Sequence, residues 1–180
     1  LNRLGAVGNI VHPLSAQEEI KNYLVSCKCR FLLCIDKCVE KIQNILEETY
    51  LEKIIIADAS CSMPKPLKLL YNLKNKYDLP KDEKYLLWKN FICNINVSSP
   101  EYFPTDKENE ELAVILHSGG TTGVPKDIML SNKNFNAFGI QSVLTLRDVS
   151  VGDKILGILP VFHGFGLGVC VHVCFCFGAC

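Results

Sequence analysis

Residues 112–126 read LAVILHSGGTTGVPK: five apolar residues, a strand end, then a turn of glycine, serine and threonine closed by a lysine. Five continuous apolar residues are short for a helix and fit a strand buried on both faces, as in a parallel sheet. The turn frees its backbone at Gly119, Gly120 and Gly123 and carries hydroxyls at Ser118, Thr121 and Thr122. Successive glycine amides form a concave nest for an anion, and hydroxyls add donors that turn toward phosphate oxygens. Lys126 supplies a mobile cation, and Pro125 restricts the turn before it. The pattern G-x-x-x-x-G-K-[ST] of an ordinary P-loop is not met, because Gly123 and Lys126 are not adjacent and Asp127 follows the lysine. On composition alone, a turn joining two strands is the alternative to a phosphate cradle.

Downstream of the loop, IML (128–130) fits a short strand, and Ser131 is placed to cap a helix through Phe135, Phe138 and Val143. KILGILP (154–160) reads as a further strand stopped by Pro160. Upstream, Ser15 and Glu18 have capping-box spacing, and Ile20, Tyr23, Leu24 and Cys27 fall on one helical face. FLLCI (31–35) predicts a strand buried on both faces, Val39, Ile42 and Leu46 a helix, and Ile54 to Ala57 a second buried strand, which together make a crossover unit. Leu67, Leu70 and Tyr71 suggest another helix after Pro66. The fold class is α/β, a mostly parallel sheet flanked by helices. Residues 1–76 read as a crossover portion, 77–111 as a charged connection with a short apolar element at Leu86 to Ile92, and 112–180 as the phosphate-loop portion of the same large domain.

With 19 basic and 19 acidic residues in 180, the chain has no net charge with which to attract nucleic acid, and none is expected as a partner. The ten cysteines contain no C-x-x-C pair, and His172, Cys174 and Cys176 sit in an apolar segment where thiols act as small hydrophobes, so no metal site is expected. Reduced thiols in a cytoplasm are the simpler picture, since LNRLGAVGNIVHP has no secretory pattern. The start at Leu1 reads as a cut inside a longer gene. From Ile155 to Cys180 there is no Asp, Glu, Lys or Arg, which raises a membrane span as a rival. Pro160, two histidines and five glycines argue instead for a buried strand, a turn and a buried helix. Phe165 and Phe175 are expected in the core. GFGLG (164–168) fails the dinucleotide spacing, because residue 169 is Val.

SGGTTGVPK resembles the phosphate-binding signature of the adenylate-forming (AMP-binding) ligases, which include acyl-CoA synthetases, aryl-CoA ligases and luciferases. LAVILHS before it, IMLSNKNFNA after it, LPVFHGFGLGVCVH farther on and LNRLGAVGNIVHPLSAQEEIKNYL at the front resemble that family's segments, in its order. The resemblance implies the large N-terminal domain of such an enzyme, with ATP, Mg²⁺ and coenzyme A (or carrier-protein phosphopantetheine) as cofactors and a carboxylic acid as substrate. An acyl carrier protein is a further implied partner. Ser118, Gly119, Gly120, Thr121, Thr122, Gly123 and Lys126 would hold the phosphates, with Lys126 and Thr121 acting in catalysis, while Phe162, His163 and Gly164 would border the acyl pocket. A core histidine is the alternative for His163. His117 is expected as a hydrogen-bonded structural residue. Asp127, where most members carry Gly, would pair with Lys126 or repel triphosphate, depending on where it points. The family's later motifs lie beyond residue 180, so the isolated chain is expected to be inactive. A non-catalytic phosphate-binding or interaction protein and a membrane-anchored protein are the alternatives.

Overall fold

A computed structural model describes residues 4–74, 80–93, 110–119, 126–146 and 149–180. The chain divides into two compact units, one of Pro13–Glu101 and one of Leu1–His12 with Tyr102–Cys180.

In the first unit a three-stranded parallel sheet runs in the order β2 (Phe31–Ile35), β3 (Lys53–Ala57), β4 (Tyr85–Leu87). The centre is β3, and its Ile54 and Ile56 are fully buried. Helix α1 (Gln17–Ser26) buries Ile20 and Leu24, and α2 (Val39–Ile45) buries Val39, Ile42 and Ile45. The β2–α2–β3 crossover expected from the alternating periods is therefore present, with its two strands parallel. Two details differ. Helix α1 starts one residue later than the Ser15 spacing suggests: Ala16 is the N-cap, its amide donates to the Glu19 carboxylate at 3.2 Å, and the Ser15 carbonyl accepts from Lys41 instead. Strand β2 is not buried on both faces, because the face that carries Phe31 and Leu33 is left open to solvent, both side chains being more than half exposed.

Helix α3 (Lys65–Lys74) forms where Leu67, Leu70 and Tyr71 suggested it, and among those three the tyrosine anchors it. The Tyr71 hydroxyl donates to the buried Asp36 carboxylate at 2.9 Å, and Lys37 stands over the Tyr71 ring, while Leu67, Leu69, Leu70 and Leu73 lie exposed. The apolar patch near residue 90 is β4 followed by α4 (Trp88–Cys93).

In the second unit the sheet order is β1 (Gly8–Ile10), β5 (Leu112–Ser118), β6 (Lys126–Ser131). Strands β1 and β5 are parallel, and β6 returns antiparallel. The central strand is β5, with Ala113 and Leu116 buried. Ser131 caps α5 (Asn132–Thr145) as expected: its hydroxyl accepts from the Asn134 amide, and the Asn134 side chain accepts from the Ser131 amide at 2.8 Å. A π-helical segment, Gly166–Val173, runs into α6 (Cys174–Phe177) and packs on α5.

The tail departs from expectation in two ways. Residues 154–160 form no strand; the segment is held at its start by the 178–180 stretch and at its end by the turn at Pro160. Ile155 donates to the Cys180 carbonyl and Cys180 donates to Asp153, both at 2.8 Å. Phe165 and Phe175 are exposed rather than core, because their segment turns Gly166, Gly168 and Val173 inward instead. Among the described residues, no helix is long and apolar enough to cross a membrane.

Candidate functional site

The parallel strands β1 and β5 end at one edge of their sheet, and the antiparallel β6 begins there, so the edge collects Ser118, Gly119 and Lys126. Carboxyl ends of parallel strands are where α/β folds usually place their ligands. Gly120, Thr121, Thr122 and Gly123 lie outside the described residues. The pairing register sets Ser118 opposite Lys126 and His117 opposite Asp127. Successive side chains on a strand point to opposite faces, so Ser118 and Lys126 share one face while His117 and Asp127 share the other.

This register decides where Asp127 points. Its Oδ1 accepts from His117 Nδ1 at 2.8 Å, and His117 Nε2 lies 2.6 Å from Asn9 Oδ1 on β1. The His117 side chain is only 5% exposed, whereas that of Asp127 is 42% exposed. The carboxylate neighbouring Lys126 in sequence is thus committed to the opposite face of the sheet. Asn9 drew no notice in the sequence. Its one signal there is a polar residue inside an apolar β segment, which gains meaning only when β1 is known to lie beside β5.

The motif LPVFHGFG (159–166) forms a tight turn leading into the π-helical segment. The His163 amide donates to the Pro160 carbonyl at 3.0 Å, and the Leu167 amide to the His163 carbonyl at 3.0 Å. His163 is exposed, and its Nδ1 accepts from the Phe165 amide at 3.3 Å, so it is not a core residue. The Phe162 ring sits 4.0 Å from the His12 ring, just beyond β1. A Cβ on Gly164 would rest 3.5 Å from Leu116 of β5, which places the turn against the loop's own strand. Gly166 was read only as part of the motif, and the structure gives it a specific role. A Cβ there would lie 2.1 Å from the Pro160 carbonyl oxygen and 2.7 Å from that of Leu159, so only glycine closes the turn.

Gly164 and Gly168 also line an apolar recess of about 220 Å³ with Leu130, Asn134, Phe135 and Phe138. A Cβ on Gly168 would approach Phe138 to 3.0 Å, so the absence of side chains at both glycines keeps the recess open. Ser118 and Lys126 thus face each other at the sheet edge, Gly164 packs on that strand, and Phe162 joins β1 through His12. Among the described residues, no group of three His, Cys, Asp or Glu is arranged to hold a metal ion.

Comparison with known proteins agrees with this layout. The sequence matches the AMP-binding enzyme family over residues 1–180. It is 28% identical over 160 residues to a long-chain-fatty-acid–CoA ligase of Bacillus subtilis, covering 87% of this chain and 29% of that protein. Its fold matches the anthranilate CoA ligase AuaEII, solved in complex with anthranoyl-AMP, with a TM-score of 0.76 at 20% identity over 98% of this chain and 30% of that one. ATP-bound MatB of Rhodopseudomonas palustris gives 0.71 at 18% identity over 98% and 30%. The chain spans about three tenths of the length of the relatives it matches. With the family match running through every strand and helix described above, the chain belongs to the AMP-binding enzymes and has the fold of part of their large N-terminal domain.

Proposed function

We propose that this chain is the phosphate-loop and acyl-pocket portion of an AMP-forming acid–thiol ligase acting on a fatty or aryl carboxylic acid. The observation that carries the reading is the opposition of Ser118 and Lys126 at the sheet edge, with Asp127 held on the other face. A hydroxyl and an ammonium on one face, beside a glycine-rich turn, suit the tail of ATP, and no carboxylate from the next residue competes for the lysine.

In the first half-reaction a carboxylate oxygen of the acid attacks the α-phosphorus of ATP. The bond to the bridging oxygen breaks, and pyrophosphate leaves with acyl-AMP retained. Lys126 neutralises charge on the departing phosphates, and Ser118 with Gly119 donates to their oxygens. The loop residues Gly120, Thr121, Thr122 and Gly123 would complete the cradle, with Thr121 beside Lys126 in catalysis. Positioning and charge neutralisation carry most of such a barrier. In the second half-reaction a thiol, of coenzyme A or of a carrier protein, attacks the acyl carbonyl. AMP leaves, the thioester forms and the thiol proton is released. Phe162, His163 and Gly164 would border the acyl group. Mg²⁺ would share the charge of the nucleotide's phosphates; the described residues offer it no ligand cluster. The setting we propose is a reducing cytoplasm, where thiols stay reduced.

The test is carboxylate-dependent exchange of labelled pyrophosphate into ATP by the longest gene product containing this chain. Exchange with a fatty or aryl acid, lost in Lys126→Ala, supports the reading. No exchange with any acid, with nucleotide bound equally by Lys126→Ala, overturns it in favour of a non-catalytic binding protein. The isolated 180 residues are expected to show no turnover.

A further inference from the structure

The three strands of the β1–β5–β6 sheet are crossed on one face by a row of polar side chains: Asn9 on β1, His117 on β5 and Asp127 on β6. The row lies one residue back from the strand ends, where Ser118 and Lys126 pair across the mouth of the loop. Strand ends fray, because their last backbone bonds are solvated and have no further rung beyond them. A side-chain rung at this position opposes the fraying. The imidazole is almost wholly covered, so parting it from Asp127 takes a 2.8 Å bond from a ring that water hardly reaches, a costly loss for a polar group. Asn9 holds the ring from the other side and so transmits the orientation of β1 to β6.

We propose that Asn9, His117 and Asp127 form a positioning clamp that fixes the separation and facing of Ser118 and Lys126, so that Asp127 aids nucleotide binding from the far side of the sheet. The inference rests on the nucleotide reading above and adds to it a residue that the sequence leaves as either a partner of Lys126 or a repelling charge. The acceptor atom does the work: Asn at 127 retains an Oδ1 for His117, and Gly does not.

The experiment compares wild type with Asp127→Asn, Asp127→Gly and Asn9→Ala by amide hydrogen exchange at Ser118 and Lys126, and by KM and kcat for ATP in pyrophosphate exchange. Asp127→Gly is expected to speed amide exchange at both strand ends and to raise the ATP KM about 5- to 30-fold, the loss typical of one hydrogen bond to a half-exposed carboxylate, with a smaller change in kcat. Asp127→Asn is expected to recover most of both losses, and Asn9→Ala, on a different strand, to move both readouts the same way. A lower KM in Asp127→Gly would show the carboxylate acting as a repelling charge and overturn the proposal. Unchanged amide exchange overturns the clamp, and faster amide exchange with an unchanged KM overturns its link to the nucleotide. Wild-type inactivity with every acid overturns the nucleotide reading itself, and the amide arm then decides the strand lock separately.

Discussion

Replacing Gly166 by alanine tests how the turn that presents Phe162 and His163 is built. An alanine Cβ would stand 2.1 Å from the Pro160 oxygen and 2.7 Å from both the Pro160 carbon and the Leu159 oxygen. Carbon and oxygen not bonded to each other rest at roughly 3.3 Å, so the shortfall is about 1 Å, and it is met by backbone rather than by a side chain that can swing away. Opening the turn by that distance sacrifices the bond from the His163 amide to Pro160 O, worth about 1 kcal/mol. Overpacking adds about 1–3 kcal/mol. The helix preference of alanine over glycine returns about 0.5–1 kcal/mol. The expected net loss is about 2 kcal/mol, which at a urea slope of roughly 2 kcal/mol/M lowers the unfolding midpoint by about 1 M. Gly157→Ala is the control, since its Cβ meets nothing closer than Cys170 at 3.7 Å. Urea titration followed by circular dichroism reads both variants. Midpoints for Gly166→Ala and Gly157→Ala that agree within about 0.25 M, or about 0.5 kcal/mol, would refute the reasoning, because the motif glycine would then be serving something other than this close approach.

Gly139→Ala is also expected to clash, since its Cβ would lie 2.6 Å from the Cys176 sulfur, but that obstacle is a side chain. Denaturation should therefore find the single variant destabilised by about 1 kcal/mol and the double variant with Cys176→Ala at or above wild type, and a double variant as weak as the single one contradicts this. His172 has a buried Nε2 with no hydrogen-bond partner among the described residues and packs against Phe135, so His172→Phe is expected to cost nothing or to stabilise. A loss above about 1 kcal/mol in its unfolding free energy would mean that this nitrogen is in use. Burial, with Cys38 and Asp36 nearby, pushes the Cys34 thiol up to about 12. It stays protonated at pH 8, so mass spectrometry after brief iodoacetamide treatment should find Cys34 unmodified and the exposed Cys61 and Cys93 labelled. Because the folded value is raised, the associated stability is present below the ordinary thiol value of 9.0 and is lost as pH climbs toward 12, which a Cys34→Ala variant should partly relieve.

Local periodicity was enough to read most elements. The i, i+3, i+4 spacing marked α1, the apolar run marked β3, and Ser131 marked the start of α5, because each is a choice made within a few residues. The proposal of a phosphate site at residues 118–126 has the same local origin, a stretch whose residue types suit an anion by themselves. What the sequence alone could not decide was pairing. FLLCI looks like a strand covered on both faces, yet one face of β2 keeps Phe31 and Leu33 in solvent. KILGILP has a strand's composition, but its Ile155 amide bonds to the Cys180 carbonyl and it joins no sheet. Asp127 is the plainest case: adjacent to Lys126 in the chain, it is turned away from it by the alternation of strand faces. The β5–β6 register then hands it to His117, and β1, more than a hundred residues earlier, supplies Asn9 to the same ring. Sequence determines which conformation each short segment prefers, because that preference is set by neighbours a turn apart. Which face a side chain ends on, and which distant group meets it there, is decided only when strands find their register, because hydrogen-bond pairing joins residues that the linear chain keeps apart.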